Sequence, residues 1–144
     1  MKKLLLPVAA IAMLVLGACA GTGNAGTGTT QSGPAKATVT MTEWTVNLSQ
    51  TTLPAGQVTI ALKNDRKLTH EMAILKTDLP HDKIPARVED ATKVQEIGII
   101  GEIEDVEAGT TKADVFDLVP GNYVLICNEV SHYTAGMHLA FVVK

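Results

Sequence analysis

From Ala37 to Lys144 the apolar residues fall in short alternating runs, and each run stops at a turn. Val39 and Met41 alternate with Thr38, Thr40 and Thr42, and Val58, Ile60 and Leu62 alternate with Thr59, Ala61 and Lys63. A period of two puts one set of side chains on one face of a strand, whereas a helix needs a period of 3.6. Leu53-Pro54-Ala55-Gly56, Asn64-Asp65, Ala108-Gly109-Thr110 and Pro120-Gly121-Asn122 supply the turns. Seven or eight such strands over little more than a hundred residues predict an all-β chain folded as a Greek-key β-sandwich. After Met41 the apolar set continues as Trp44, Val46 and Leu48, one position out of phase, which predicts a bulge or bend near Glu43. Trp44 itself reads as a core residue. Tyr123 to Cys127 is almost continuously apolar, as in a central strand, and His70 to Leu75 is a further strand. Pro80 and Pro85 interrupt Lys76 to Glu96, so this stretch reads as an insertion, with Ala86 to Glu96 expected to form two or three helical turns.

The 144 residues suit one domain, and the first 36 stand apart from it. Lys2 and Lys3 precede an apolar run from Leu4 to Leu16, which is shorter than the roughly 20 residues a spanning helix needs. Leu16-Gly17-Ala18-Cys19 resembles the bacterial lipobox, which implies a signal peptide over residues 1–18 and a diacylglycerol on Cys19. Ordinary cleavage after Ala20 also fits the small-residue pattern. The rest of residues 19–36 is mostly Gly, Thr, Ala and Ser, a flexible tether for a domain spanning residues 37–144. The expected location is extracytoplasmic, with the lipid anchored in a bacterial membrane facing the periplasm or the cell surface. A net charge of -3 gives no support for a nucleic-acid partner.

The chemistry sits in Cys127-Asn128-Glu129-Val130-Ser131-His132-Tyr133-Thr134-Ala135-Gly136-Met137. Cys127, His132 and Met137 recur at five-residue steps and offer a thiolate, an imidazole and a thioether, a soft donor set suited to copper. An unpaired thiol in an oxidising compartment needs a reason, and metal ligation supplies one. Gly136 lets the backbone turn ahead of Met137. A trigonal copper site needs a second imidazole, and His70, at the start of a strand, is the candidate. His138 reads as a surface residue or one behind the ligands, and His81 as solvated. Asn128 is placed to order the loop, and Glu102, Glu104, Asp105 and Glu107 form a solvated edge or a docking patch for a basic partner.

This loop, with the upstream His70 and the closing strand, resembles the cupredoxins, the type 1 blue copper family, with spacing most similar to rusticyanin and sulfocyanin. Pro120-Gly121-Asn122-Tyr123 and Gly136-Met137 also match that subgroup. The resemblance implies one copper ion held by His70, Cys127, His132 and Met137, and one-electron transfer between redox proteins without catalysis, by a monomer. It also implies His132 as the electron port. Two departures stand out. Val130-Ser131 occupies the place of the usual Pro-Gly before the second histidine. Glu71 follows the first histidine, where relatives carry Asn or Ser to tie the ligand loops together; an ionised Glu71 is expected to lower the reduction potential. Storage, delivery or resistance proteins for copper are the alternative, but they favour Met- or His-rich tracts, and the 5 Met here are scattered. Multicopper oxidases need further His-rich sites, and the chain has 4 His in all.

Overall fold

The computed structural model describes residues 34–144. The signal, the lipidated Cys19 and most of the tether expected from the sequence lie outside these residues. Nine strands follow in chain order: β1 (Ala35–Thr42), β2 (Thr45–Leu48), β3 (Thr52–Leu53), β4 (Gly56–Asn64), β5 (His70–Lys76), β6 (Ile99–Val106), β7 (Thr111–Leu118), β8 (Gly121–Ile126) and β9 (His138–Val143). They form two sheets, β2-β1-β4-β7 and β3-β9-β8-β5-β6. Both are mixed: β1 runs parallel to β4 and β3 parallel to β9, while the remaining neighbours are antiparallel. No described helix is long and apolar enough to cross a membrane.

The alternating residues face each other across the sandwich as their period requires. Val39, Met41, Val58, Ile60 and Leu62 from one sheet meet Met72, Ile74, Leu125, Phe141 and Val143 from the other in one buried cluster. The phase slip after Met41 is a chain reversal. Thr42 pairs with Thr45 across a two-residue turn, Glu43-Trp44, in which Trp44 has φ 72°. The reversal carries Trp44 out of the core, and it is 51% exposed, contrary to the buried role expected from the sequence.

The insertion between β5 and β6 contains no helix, which overturns the expectation for Ala86 to Glu96. Ala86 and Val94 form an isolated antiparallel bridge, and the intervening Val88 is almost fully exposed. The apolar residues therefore do not share a helical face. Ile84 and Val94 instead pack on Ala73, Leu75, Val124, Ile126 and Tyr133, forming a second cluster on the far face of β5 and β8. Both faces of β8 are thus covered, which explains its unbroken apolar run. The insertion returns to β6 through Gly98 at φ +80°, where a Cβ would lie 2.5 Å from the Lys76 carbonyl oxygen.

Candidate metal centre

Strand register places the ligand candidates. Ile126 at the end of β8 pairs with His138 at the start of β9, so Cys127 and Met137 follow as the next opposed residues, and the Cys127 N–H donates to the Met137 carbonyl at 2.9 Å. The loop between them folds on its own backbone: the His132 N–H donates to Glu129 O, the Met137 N–H to His132 O and the Gly136 N–H to Tyr133 O. Gly136 closes this turn at φ +104°. His70 opens β5, the neighbour of β8 in the same sheet.

His70, Cys127 and His132 converge, with one ligand atom of each lying within 4.8 Å of the others. The Cys127 Sγ is 3.3 Å from His132 Nδ1 and 3.8 Å from His70 Nδ1. His70, Cys127 and Met137 are fully buried, whereas His132 retains 8% exposure and marks the end of the site nearest solvent. The second histidine nitrogen of His70, Nε2, is buried with no hydrogen-bond partner. Burial lowers the pKa of both imidazoles, aided at His70 by the nearby His132, so both rings are neutral and keep a free lone pair. Burial pushes the Cys127 thiol up to about 11, against the opposing backbone N–H groups of Glu129 and Glu71. A bulge in β5 between His70 and Met72 takes Glu71 out of register with β6. Two imidazoles and a thiol gathered in a dry pocket, with one imidazole nitrogen left without a partner, fit a soft metal ion far better than they fit a packed core.

The surroundings differ partly from the sequence expectation. The Asn128 side chain grips the insertion rather than the ligand loop. Its Oδ1 accepts from the Val94 N–H at 2.8 Å, and its Nδ2 donates to Val94 O at 3.0 Å and to Glu96 Oε1 at 2.5 Å. Glu71 is half-buried, and burial raises its carboxyl to about 7. His81 is half-buried rather than solvated, with its Nδ1 2.6 Å from the Nδ1 of His138. The acidic residues at 102, 104, 105 and 107 all lie exposed on or just beyond the edge strand β6.

Three contributors escaped the sequence reading. Tyr133 follows a ligand, and its hydroxyl accepts from the Ile84 N–H and donates to His81 O, a second clamp on the insertion. Asn64 is fully buried: its Nδ2 donates to Leu68 O and Val106 O, and its Oδ1 accepts from the Arg66 N–H, which orders the connection leading to His70. Trp44 lies edge-on to His132, with ring centroids 5.6 Å apart. Asn64 carried the turn signal of an Asn-Asp pair; nothing local distinguished Trp44.

The two-sheet sandwich with its buried His-Cys-His group and the family model that matches it together define a cupredoxin, a blue copper protein of the electron-transferring kind. The family model for the sulfocyanin (SoxE) domain matches residues 35–144, and the chain belongs to that family. Solved structures share the fold at low identity. The auracyanin of Roseiflexus castenholzii is 21% identical, with 78% of this chain and 98% of that one covered and a TM-score of 0.59. Auracyanin A of Chloroflexus aurantiacus, titled a "blue" copper protein, is 22% identical over 78% and 100% of the two chains, with a TM-score of 0.56. Rusticyanin of Thiobacillus ferrooxidans is 14% identical over 78% and 79%, with a TM-score of 0.58. No curated protein matches the chain.

Proposed function

We propose that this protein is a one-electron carrier held at an extracytoplasmic membrane surface, in which His70, Cys127, His132 and Met137 hold one copper ion. The observation that carries the reading is the buried convergence of His70 at the start of β5, Cys127 just past the end of β8 and His132 on the loop that follows. When bound, copper supplies the Cu(II)/Cu(I) couple, and His₂Cys with a weak axial Met is the donor set of blue electron-transfer sites. The chain's own residues supply the rest. Met137, fully buried opposite Cys127, would supply the thioether. Strand β5 fixes His70, and the hydrogen-bonded loop between β8 and β9 fixes the other donors, so the site would change little between oxidation states. The dry cluster around them keeps water from the metal. His132 gives the electron its shortest route to solvent.

The address follows from the sequence: residues 1–18 as signal, Cys19 as lipid anchor, residues 19–36 as tether and residues 37–144 as the copper domain, acting as a monomer on soluble or membrane-bound redox proteins. Cys19→Ser releases the protein from the membrane fraction if this is right. The central test is to add Cu(II) to the purified domain and record the visible spectrum. An intense thiolate-to-copper band, absent in Cys127→Ser, with a reversible voltammetric wave supports the carrier; absence of the band in the unsubstituted protein refutes the copper assignment. A band without reversible electron transfer points to copper storage or delivery.

A further inference from the structure

Resting on the carrier reading above, we infer that Trp44 is the contact through which an electron passes between a redox partner and His132. His132 is the only member of the converging group with any exposure, and the indole of Trp44 stands against it at an interplanar angle of 83°. The ring reaches the site from the other sheet, at the tip of the β1–β2 hairpin, and the Trp44 carbonyl oxygen would lie 3.9 Å from a Cβ at Gly136. The hairpin tip thus rests against the ligand loop itself.

Stability does not explain a tryptophan here. Its φ of 72° lies in the left-handed region, which costs a bulky L-residue about 1–2 kcal/mol and suits Gly or Asn. About half of the largest aromatic side chain is left in water. Such a conformation persists only where the surroundings enforce it, and here they do. The carboxylate of Glu43, the preceding residue, accepts from the Lys67 N–H at 2.7 Å and the Leu68 N–H at 3.4 Å and pairs with Arg66. This ties the hairpin tip to the connection that leads into His70. The hairpin tip that carries the indole is therefore held in place, with the ring against His132 and about half of it in solvent. A rigid aromatic group with one edge on a ligand and one in water offers a coupled route and a contact face to an apolar or aromatic partner.

In transfer from a reductant that docks on the indole, the reductant loses one electron, which passes by way of Trp44 and His132, and the copper site would gain it; a reductant that does not dock there reaches His132 without Trp44, and no proton or bond changes. The test is stopped-flow kinetics on the copper-loaded protein with two one-electron complexes, tris(1,10-phenanthroline)cobalt, which presents aromatic faces, and hexaammineruthenium, which does not. In Trp44→Ala the rate with the phenanthroline complex falls about tenfold and that with hexaammineruthenium less than about twofold, and Trp44→Phe restores most of the loss. The reduction potential and the visible band stay as in the unsubstituted protein. Equal losses with both reagents, no loss, or a loss accompanied by a shifted potential or band overturns the relay and makes Trp44 a packing support for His132. A missing blue band in the unsubstituted protein removes the copper reading itself, a result separable from any difference between variants.

Discussion

Replacing Asn128 with Ala isolates what the insertion contributes to the site. The side chain is fully buried, and its amide is the sole bridge from the residue after Cys127 to Val94. Truncation leaves the Val94 N–H without a partner in a position that is only 3% exposed. An orphaned buried donor costs about 1–3 kcal/mol. The Val94 carbonyl keeps the bond from Arg87 Nε at 3.1 Å, and Glu96 keeps its ion pair with Arg87 at 2.8 Å. The two bonds donated by Asn128 Nδ2 are therefore lost without orphaning their acceptors, at about 0.5–1.5 kcal/mol each. Taking about 3 kcal/mol for the sum, Tm falls by about 12–24 °C for a domain of this size. Calorimetry on the apoprotein reads it directly. Asn128→Asp sharpens the test, because it conserves volume. Its carboxylate still accepts from the Val94 N–H but sets a second acceptor against Val94 O and the Glu96 carboxylate, so near neutral pH it destabilises at least as much as Ala. A Tm for the Asp variant within about 3 °C of the unsubstituted protein, where the roughly 4–8 °C expected per kcal/mol gives a drop of about 12–24 °C, refutes the hydrogen-bond account and leaves only packing.

Gly98→Ala places a Cβ 2.5 Å from the Lys76 carbonyl at φ +80° and is expected to cost more than about 2 kcal/mol, read as a lower urea midpoint. In the apoprotein, Glu71 contributes stability that is full below about pH 4.5 and lost as pH rises through about 7, because its folded pKa is the higher one. Glu71→Gln therefore raises Tm more at pH 8 than at pH 5; an equal gain at both would refute the burial argument. Metal uptake at about pH 8.5 should release about one proton per ion, since the Cys127 thiol is protonated up to about 11 while both imidazoles are already neutral. A pH-indicator titration with and without Cys127→Ser checks this, and release unchanged in the Ser variant would assign the proton elsewhere.

The sandwich and the metal loop were legible for a local reason. A strand declares itself by a period of two, and Cys127, His132 and Met137 sit within one loop whose span is set by the number of residues in it. His70 was readable because it opens a strand after a turn, although only the pairing of β5 with β8 brings it to Cys127. The insertion misled because Ala86 to Glu96 has helix-tolerant composition, while the decision against helix came from Asn128 and Tyr133, which take its backbone groups from a distant part of the chain.

The amino-acid sequence by itself determined the fold class, the donor chemistry and the order of the ligands, because each depends on residue type and short-range spacing. Only the tertiary structure decided where Trp44 and Glu71 point and what the insertion does. Those outcomes depend on which strands become neighbours and where a bulge or a reversal turns the chain. Trp44 reads as a core residue in a strand; one two-residue turn, held by Glu43 against the backbone of Lys67 and Leu68, places it over His132 instead.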